Sequence, residues 1–156
     1  LRALTLCLPL TVAACGPSTP TVQEPGPQDA ARLAALPAPY SAANLANGRA
    51  GFAPCRVCHT LASGAANRTG PNLHGVIGRN AAAQEGFQYS AAMKRSGLMW
   101  DPGRLDAFLA DPRGVVPGTR MSFPGVRDAA SRRDLIAYLM VEAGPAPSAA
   151  PATGRD

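Results

Sequence analysis

Aromatic residues are scarce in this chain, with one Trp, three Tyr and four Phe in 156 residues. Lysine is scarcer: Lys94 stands alone against fourteen arginines. Histidine occurs only at His59 and His74, and cysteine only at Cys7, Cys15, Cys55 and Cys58. A structural zinc site needs four ligands, usually two matched Cys or His pairs, and so few candidates argue against one. No segment alternates apolar and polar residues as a strand would, and no internal repeat is present. The apolar run from Ala3 to Ala14 is broken by Pro9 and is too short to span a bilayer. The formal charge is +5, yet the basic residues are scattered and match no nucleic-acid-binding motif. The balance suits an acidic protein surface rather than nucleic acid.

Within that sparse inventory stands Cys55-Arg56-Val57-Cys58-His59. Two thiols three residues apart with a histidine after the second form the attachment signature of a c-type haem. Both cysteines can form thioethers to one porphyrin while the imidazole meets the iron. A thioredoxin-like thiol pair would require the motif to open a helix in a βαβ pattern, which is missing here. A covalently held haem would also supply apolar mass that the few aromatics do not.

The chain divides by composition. Residues 1–15 read as a secretory leader. Val12-Ala13-Ala14-Cys15 resembles a lipoprotein box, in which Cys15 is acylated after cleavage and anchors the protein to a membrane. Residues 16–43 are rich in Pro and Ala and read as a flexible linker, and residues 145–156 as a disordered tail. Residues 44–144 form the foldable domain. Asn44 to Phe52 predicts a first helix, with Gly48 and Phe52 on one face and Pro54 ending it. Ser90 caps a short helix to Ser96 that stops at Gly97. Asp101-Pro102 opens another, with Leu105, Phe108 and Leu109 on its apolar face. Ser131 and Asp134 open the last helix as a capping box, and Leu135, Ile136, Leu139 and Met140 recur at helical period. The fold class is all-α.

The sixth iron position decides between an electron carrier and a reactive or gas-binding haem. A thioether there raises the potential and closes the site. Met93, Met99, Met121 and Met140 are candidates, and His74 is the rival for a bis-histidine pair. Met140 lies on a helix face where core packing explains it. Met121 lies in a loop after Pro117-Gly118-Thr119-Arg120, from which a side chain can be aimed inward.

Four blocks, Cys55 to Thr60, Thr69 to Gly75, Pro117 to Met121 and Asp134 to Leu139, resemble class I cytochrome c of the mitochondrial and c2 type, in order and spacing, from Cys55 to Leu139. The resemblance implies short helices wrapped around one covalently attached haem c, with first and last helices crossing where Gly48 and Phe52 meet Leu135 and Tyr138. It implies His59 and Met121 as axial ligands and the Pro71 carbonyl as the acceptor orienting His59. It implies Arg79, Tyr89 and Trp100 at a haem propionate, Thr119 as a supporting residue in the Met121 block, and Phe123 at the haem edge. The docking ring, lysine in relatives, becomes Arg56, Arg68, Arg113, Arg120 and Arg127. Phe108 replaces a tyrosine whose hydroxyl lies near the methionine sulfur, and Met93 replaces a polar residue near the propionates.

The expected function is one-electron transport by a monomer on the periplasmic side of a bacterial membrane. Its partners would be redox complexes with acidic surfaces, such as a bc1-type donor and a terminal oxidase. The competing readings are a peroxidase-like enzyme and a module that binds a diatomic gas.

Overall fold

The computed structural model describes residues 26–144. The leader, Cys7, Cys15, residues 16–25 and the tail from 145 lie outside that range. Its helices are α1 (Pro27–Ala34), α2 (Leu45–Gly51), α3 (Ala91–Arg95), α4 (Pro102–Ala110), α5 (Pro112–Val115) and α6 (Ala129–Glu142), with 3-10 turns at Tyr40–Ala42 and Ala53–Val57. Among the described residues the only strand-like pairing is an isolated antiparallel bridge between Asn80 and Met99.

The expected starts of three helices are found where the side chains allow them. Asn44 caps α2 by accepting from the Asn47 amide, Ser90 caps α3 through the Met93 amide, and Asp101 caps α4 through the Arg104 amide. Each side-chain oxygen satisfies an amide that has no partner inside the helix. The last helix differs from expectation. It starts three residues earlier, at Ala129, with Asp128 rather than Ser131 as cap, accepting from the Ser131 amide at 2.7 Å. Asp134 is therefore free for a longer-range role. Its buried carboxylate accepts from the Asn44 amide at 3.1 Å and from Arg133 at 2.8 Å, which ties the start of α2 to the middle of α6. A buried carboxylate with several donors avoids the cost of an unpaired charge.

Helices α2 and α6 make the central contact of the fold. At their crossing, a Cβ on Gly48 would overlap the Asp134 carbonyl and the Tyr138 Cβ, so only glycine permits the approach. Phe52 packs on Tyr138 with ring centroids 5.6 Å apart. Six consecutive residues of α6, Asp134 to Leu139, are buried. A helix with one apolar stripe cannot bury a continuous run, so α6 must be covered on several sides.

Part of that cover comes from the segment expected to be linker. Residues 26–43 instead form α1 and the Tyr40–Ala42 turn, and both pack on α6. Leu33, Leu36 and Tyr40 are half-buried against the core. Proline does interrupt this stretch, but at positions that helices tolerate: Pro27 occupies the first turn of α1, and Pro37 and Pro39 lie beyond its end. Burial, together with nearby Asp106 and Asp101, raises the pKa of the Tyr40 hydroxyl.

Gly48→Ala is expected to destabilise the domain by about 2–3 kcal/mol, because backbone rather than a flexible side chain must yield. Thermal unfolding monitored by far-ultraviolet dichroism measures this; an unchanged midpoint would mean that the helices are not so closely apposed.

Candidate functional site

The Cys-x-x-Cys-His stretch follows α2 without a break. Phe52 ends that helix and begins the 3-10 turn, with Pro54 in its first turn. Proline thus ends the α-helical pattern, as expected, while the chain continues in a tighter coil. The amides of Cys58 and His59 both bond to the Cys55 carbonyl, at 3.0 and 2.9 Å. One turn of helix therefore brings Cys55, Cys58 and His59 to the same side, which is the physical content of the spacing. Both thiols are free and half-buried. Burial raises the pKa of Cys55 first of all, with the neighbouring Cys58 adding to the rise.

His59 is fixed by its hydrogen bond. Its Nδ1 lies 2.7 Å from the Pro71 carbonyl oxygen. A carbonyl can only accept, so Nδ1 carries the proton and Nε2 keeps its lone pair. Burial lowers the pKa of the ring, outweighing the opposite effect of the Pro71 bond, and so favours the neutral form that can ligate a metal. Gly70 makes the ring position possible: a Cβ there would overlap Cε1 of His59 and lie 2.8 Å from Nδ1.

The residue after Pro71, Asn72, is 3% exposed and anchors this turn. Its amide nitrogen lies 2.7 Å from Thr60 Oγ1, 2.9 Å from the Ala62 carbonyl and 3.1 Å from that of Ala65. Its Oδ1 accepts from the His74 amide at 2.7 Å, and its carbonyl accepts from Arg79 at 2.9 Å. The loop after His59 is thereby folded back onto the motif, and the bond from the Gly70 amide to the Cys58 carbonyl closes it at 2.9 Å. The sequence pattern assigns no role to Gly70 or Asn72. A Gly-Pro-Asn run announces a turn, but which backbone groups a buried amide will bridge depends on tertiary folding.

Arg79, Tyr89 and Trp100 are brought together. The Trp100 amide bonds to the Arg79 carbonyl at 2.9 Å, and the Gly78 amide to the Trp100 carbonyl at 2.9 Å. Burial depresses the Arg79 pKa and raises that of Tyr89, and each partly offsets the shift of the other. The Arg79 guanidinium bonds only to neutral oxygens, of His74, Asn72 and Gln84. Among the described residues it has no carboxylate within ion-pair distance, so its charge suits an acidic group of a ligand. Trp100 packs on buried Phe108 in a tilted arrangement with centroids 4.9 Å apart. Met93 is buried, whereas Met99 is 42% exposed. His74 uses its backbone in the Asn72 network, and its ring lies near Gly144.

Met121 and Phe123 are half-buried, in the loop after α5. The Met121 amide is 3.3 Å from Thr119 Oγ1, a local bond within the loop. Arg56, Arg68, Arg113, Arg120 and Arg127 are all exposed. Among the described residues none of the five forms an ion pair, whereas Arg49, Arg104, Arg132 and Arg133 all do.

These groups fit a covalently bound porphyrin: two free thiols, an imidazole with its lone pair free, an uncompensated guanidinium, and half-buried apolar side chains such as Leu61, Leu73 and Ile77 packed against the core. Asn72→Ala is expected to cost about 3 kcal/mol, since it leaves several buried partners without a donor or acceptor. Chemical denaturation checks the loss; a change under about 1 kcal/mol would show that water replaces the amide.

No protein-family model matches the chain. Curated relatives do: the chain is 44% identical over 107 residues to cytochrome c2 of Blastochloris viridis, spanning 69% of this chain and 84% of the relative. It is 41% identical over 105 residues to cytochrome c2 of Rhodomicrobium vannielii, spanning 67% and 84%. Among solved structures, cytochrome cH from Methylobacterium extorquens aligns with a TM-score of 0.58 at 45% identity, covering 62% of this chain and 96% of that one.

Proposed function

Because the chain belongs to the cytochrome c family of the c2 type, electron-transfer proteins that carry one covalently attached haem c, we propose a His59- and Met121-ligated carrier working between membrane redox complexes. The observation that carries this reading is the Nδ1-to-Pro71 bond, which leaves Nε2 of His59 as a ready ligand beside two free thiols. Cys55 and Cys58 would hold the haem as thioethers, with His59 and Met121 on the two axial positions. When bound, the haem supplies a single one-electron couple.

The chain's own residues adjust that couple. The Pro71 carbonyl strengthens His59 as a donor by drawing on its N–H. The Met121 thioether, a soft ligand, favours the reduced state. Arg79 would offset the charge of a propionate, and Tyr89 and Trp100 would donate hydrogen bonds to it. Arg56, Arg68, Arg113, Arg120 and Arg127 are exposed and, among the described residues, without ion pairs, which suits weak, fast docking to acidic partners. Salt should therefore slow electron exchange with such partners.

We place the protein on the periplasmic side of a bacterial membrane, tethered through acylated Cys15. Among the described residues no helix is long and apolar enough to cross a membrane. Mass spectrometry of the mature protein tests the anchor and the cofactor together: the reading predicts one haem and a lipidated N-terminal Cys15, and a mass without lipid would refute the tether. Carbon monoxide tests the ligand pair. The reduced protein should not bind it at neutral pH, and ready binding would move the assignment to a gas-binding module.

Phe108→Tyr would place a hydroxyl near the methionine sulfur. By withdrawing electron density from the thioether it should raise the reduction potential by about 30 mV, a threefold change in the relative stability of the two redox states. Unchanged voltammetry would contradict the placement. Arg120 cannot deprotonate to become a ligand. No alkaline form should therefore arise in which Arg120 replaces Met121, and a loss of the methionine-ligation absorption band on mild alkalinisation that Arg120→Ala abolishes would show otherwise.

A further inference from the structure

The loop that carries Met121 is secured unevenly. On its entry side, the Thr119 amide bonds to the Val116 carbonyl at 2.9 Å and the Met121 amide meets Thr119 Oγ1 at 3.3 Å. Both contacts are within the loop or at its root. Beyond Met121, neither Ser122 nor Phe123 donates a backbone hydrogen bond to any described residue, and Pro124 has no amide to donate. The next firm attachment is the exit. Gly125, at φ +97°, lies against the Ala110 carbonyl with no room for a Cβ, and the Val126 amide bonds to the Leu109 carbonyl at 2.8 Å.

That exit is gripped by one side chain from α6. Arg132 Nη1 donates to the carbonyls of Val126 at 2.9 Å and Arg127 at 2.8 Å. Its Nε and Nη2 donate to the two carboxylate oxygens of Asp106 on α4, at 2.8 and 3.3 Å. The Arg132 side chain is 13% exposed. The planar fork of arginine can satisfy all four acceptors at once, which the single ammonium of lysine cannot. Asp106 and Leu109 lie one turn apart on α4, so the carboxylate and the carbonyl that hold the exit belong to the same rigid element.

We infer that Arg132, braced by Asp106, is the positioning residue that holds the exit of the Met121 loop on α4 and so keeps the methionine from leaving its ligand position. This rests on the assignment of Met121 as ligand. A thioether is a weak donor, and its retention depends on how seldom the loop opens. With few attachments between Met121 and Gly125, opening is governed by the clamp at the exit rather than by the loop itself. Removing the fork should raise the open population without disturbing the crossing of α2 and α6, since the hydrogen bonds of Arg132 go to Asp106, Val126 and Arg127.

The test uses the ferric holoprotein and free imidazole, followed by loss of the methionine-ligation absorption band, because imidazole can enter only when the methionine leaves. Arg132→Gln should bind imidazole at least tenfold faster than the natural chain, and amide exchange at Val126 should accelerate alongside. Asp106→Asn should give a smaller acceleration, about threefold, because the two carbonyl bonds remain, and Arg132→Lys should fall between natural and Arg132→Gln rates. Should Arg132→Gln fail to accumulate as holoprotein, those two variants decide. Ile136→Val, a fully buried change on the same helix, should lower the melting temperature while leaving the imidazole rate within twofold. If the natural protein shows the band and the Arg132 and Asp106 variants bind imidazole at its rate, the inference is overturned and the ligand assignment stands. Acceleration in Ile136→Val as large as in Arg132→Gln also overturns it, since loss of stability would then suffice. If the natural ferric protein lacks the band, both the ligand assignment and the inference fall.

Discussion

The hydrogen bond from His59 Nδ1–H to the Pro71 carbonyl is the constraint on which the site depends. It selects the tautomer, aims the ring and leaves one lone pair for a metal. Much of the surrounding loop exists to hold that carbonyl in place. Gly70 clears space under the ring, and Asn72 closes the turn through its amide nitrogen, its Oδ1 and its carbonyl. The helix-turn geometry of Cys55 to His59 supplies the other half, and α2 positions it by its close approach to α6 at Gly48. The chain of dependence therefore runs from a glycine at a helix crossing to the orientation of one imidazole.

What the sequence made legible was local or strongly chemical. The haem motif is a fixed spacing of reactive groups and needs no tertiary knowledge. Helix starts at Asn44, Ser90 and Asp101 follow from side chains that satisfy their own backbone within three residues. The less legible features are long-range. Asp134 looked like a partner for Ser131, but it is drawn to Asn44, ninety residues away in sequence, while Asp128 takes over the cap. Residues 26–43 looked like linker because proline was counted without regard to position; α6, too apolar to be left open, needs the cover that α1 and Tyr40 provide. The roles of Asn72 and Arg132 are not legible, because a buried polar hub is indistinguishable in sequence from a solvated one.

Two sets of arginines stand out among the described residues. Arg49, Arg104, Arg132 and Arg133 pair with carboxylates and brace helices. The five arginines of the docking reading are exposed and make no such pair. Exposed ion pairs add little stability, so leaving those arginines unpaired costs the fold little. Their field remains available to steer a partner, and the abundance of arginine over lysine keeps that charge constant at any pH the protein meets. Arginines paired with acids thus brace the fold, whereas the five exposed, unpaired ones carry none of that bracing through ion pairs.

The central claim, a histidine on one side of the iron and Met121 on the other, is tested most directly by iron-edge X-ray absorption on the ferric holoprotein. The account predicts a sulfur neighbour in the iron's first coordination shell that disappears in Met121→Ala. A shell made only of nitrogen and oxygen donors, or a sulfur that survives the substitution, would contradict it.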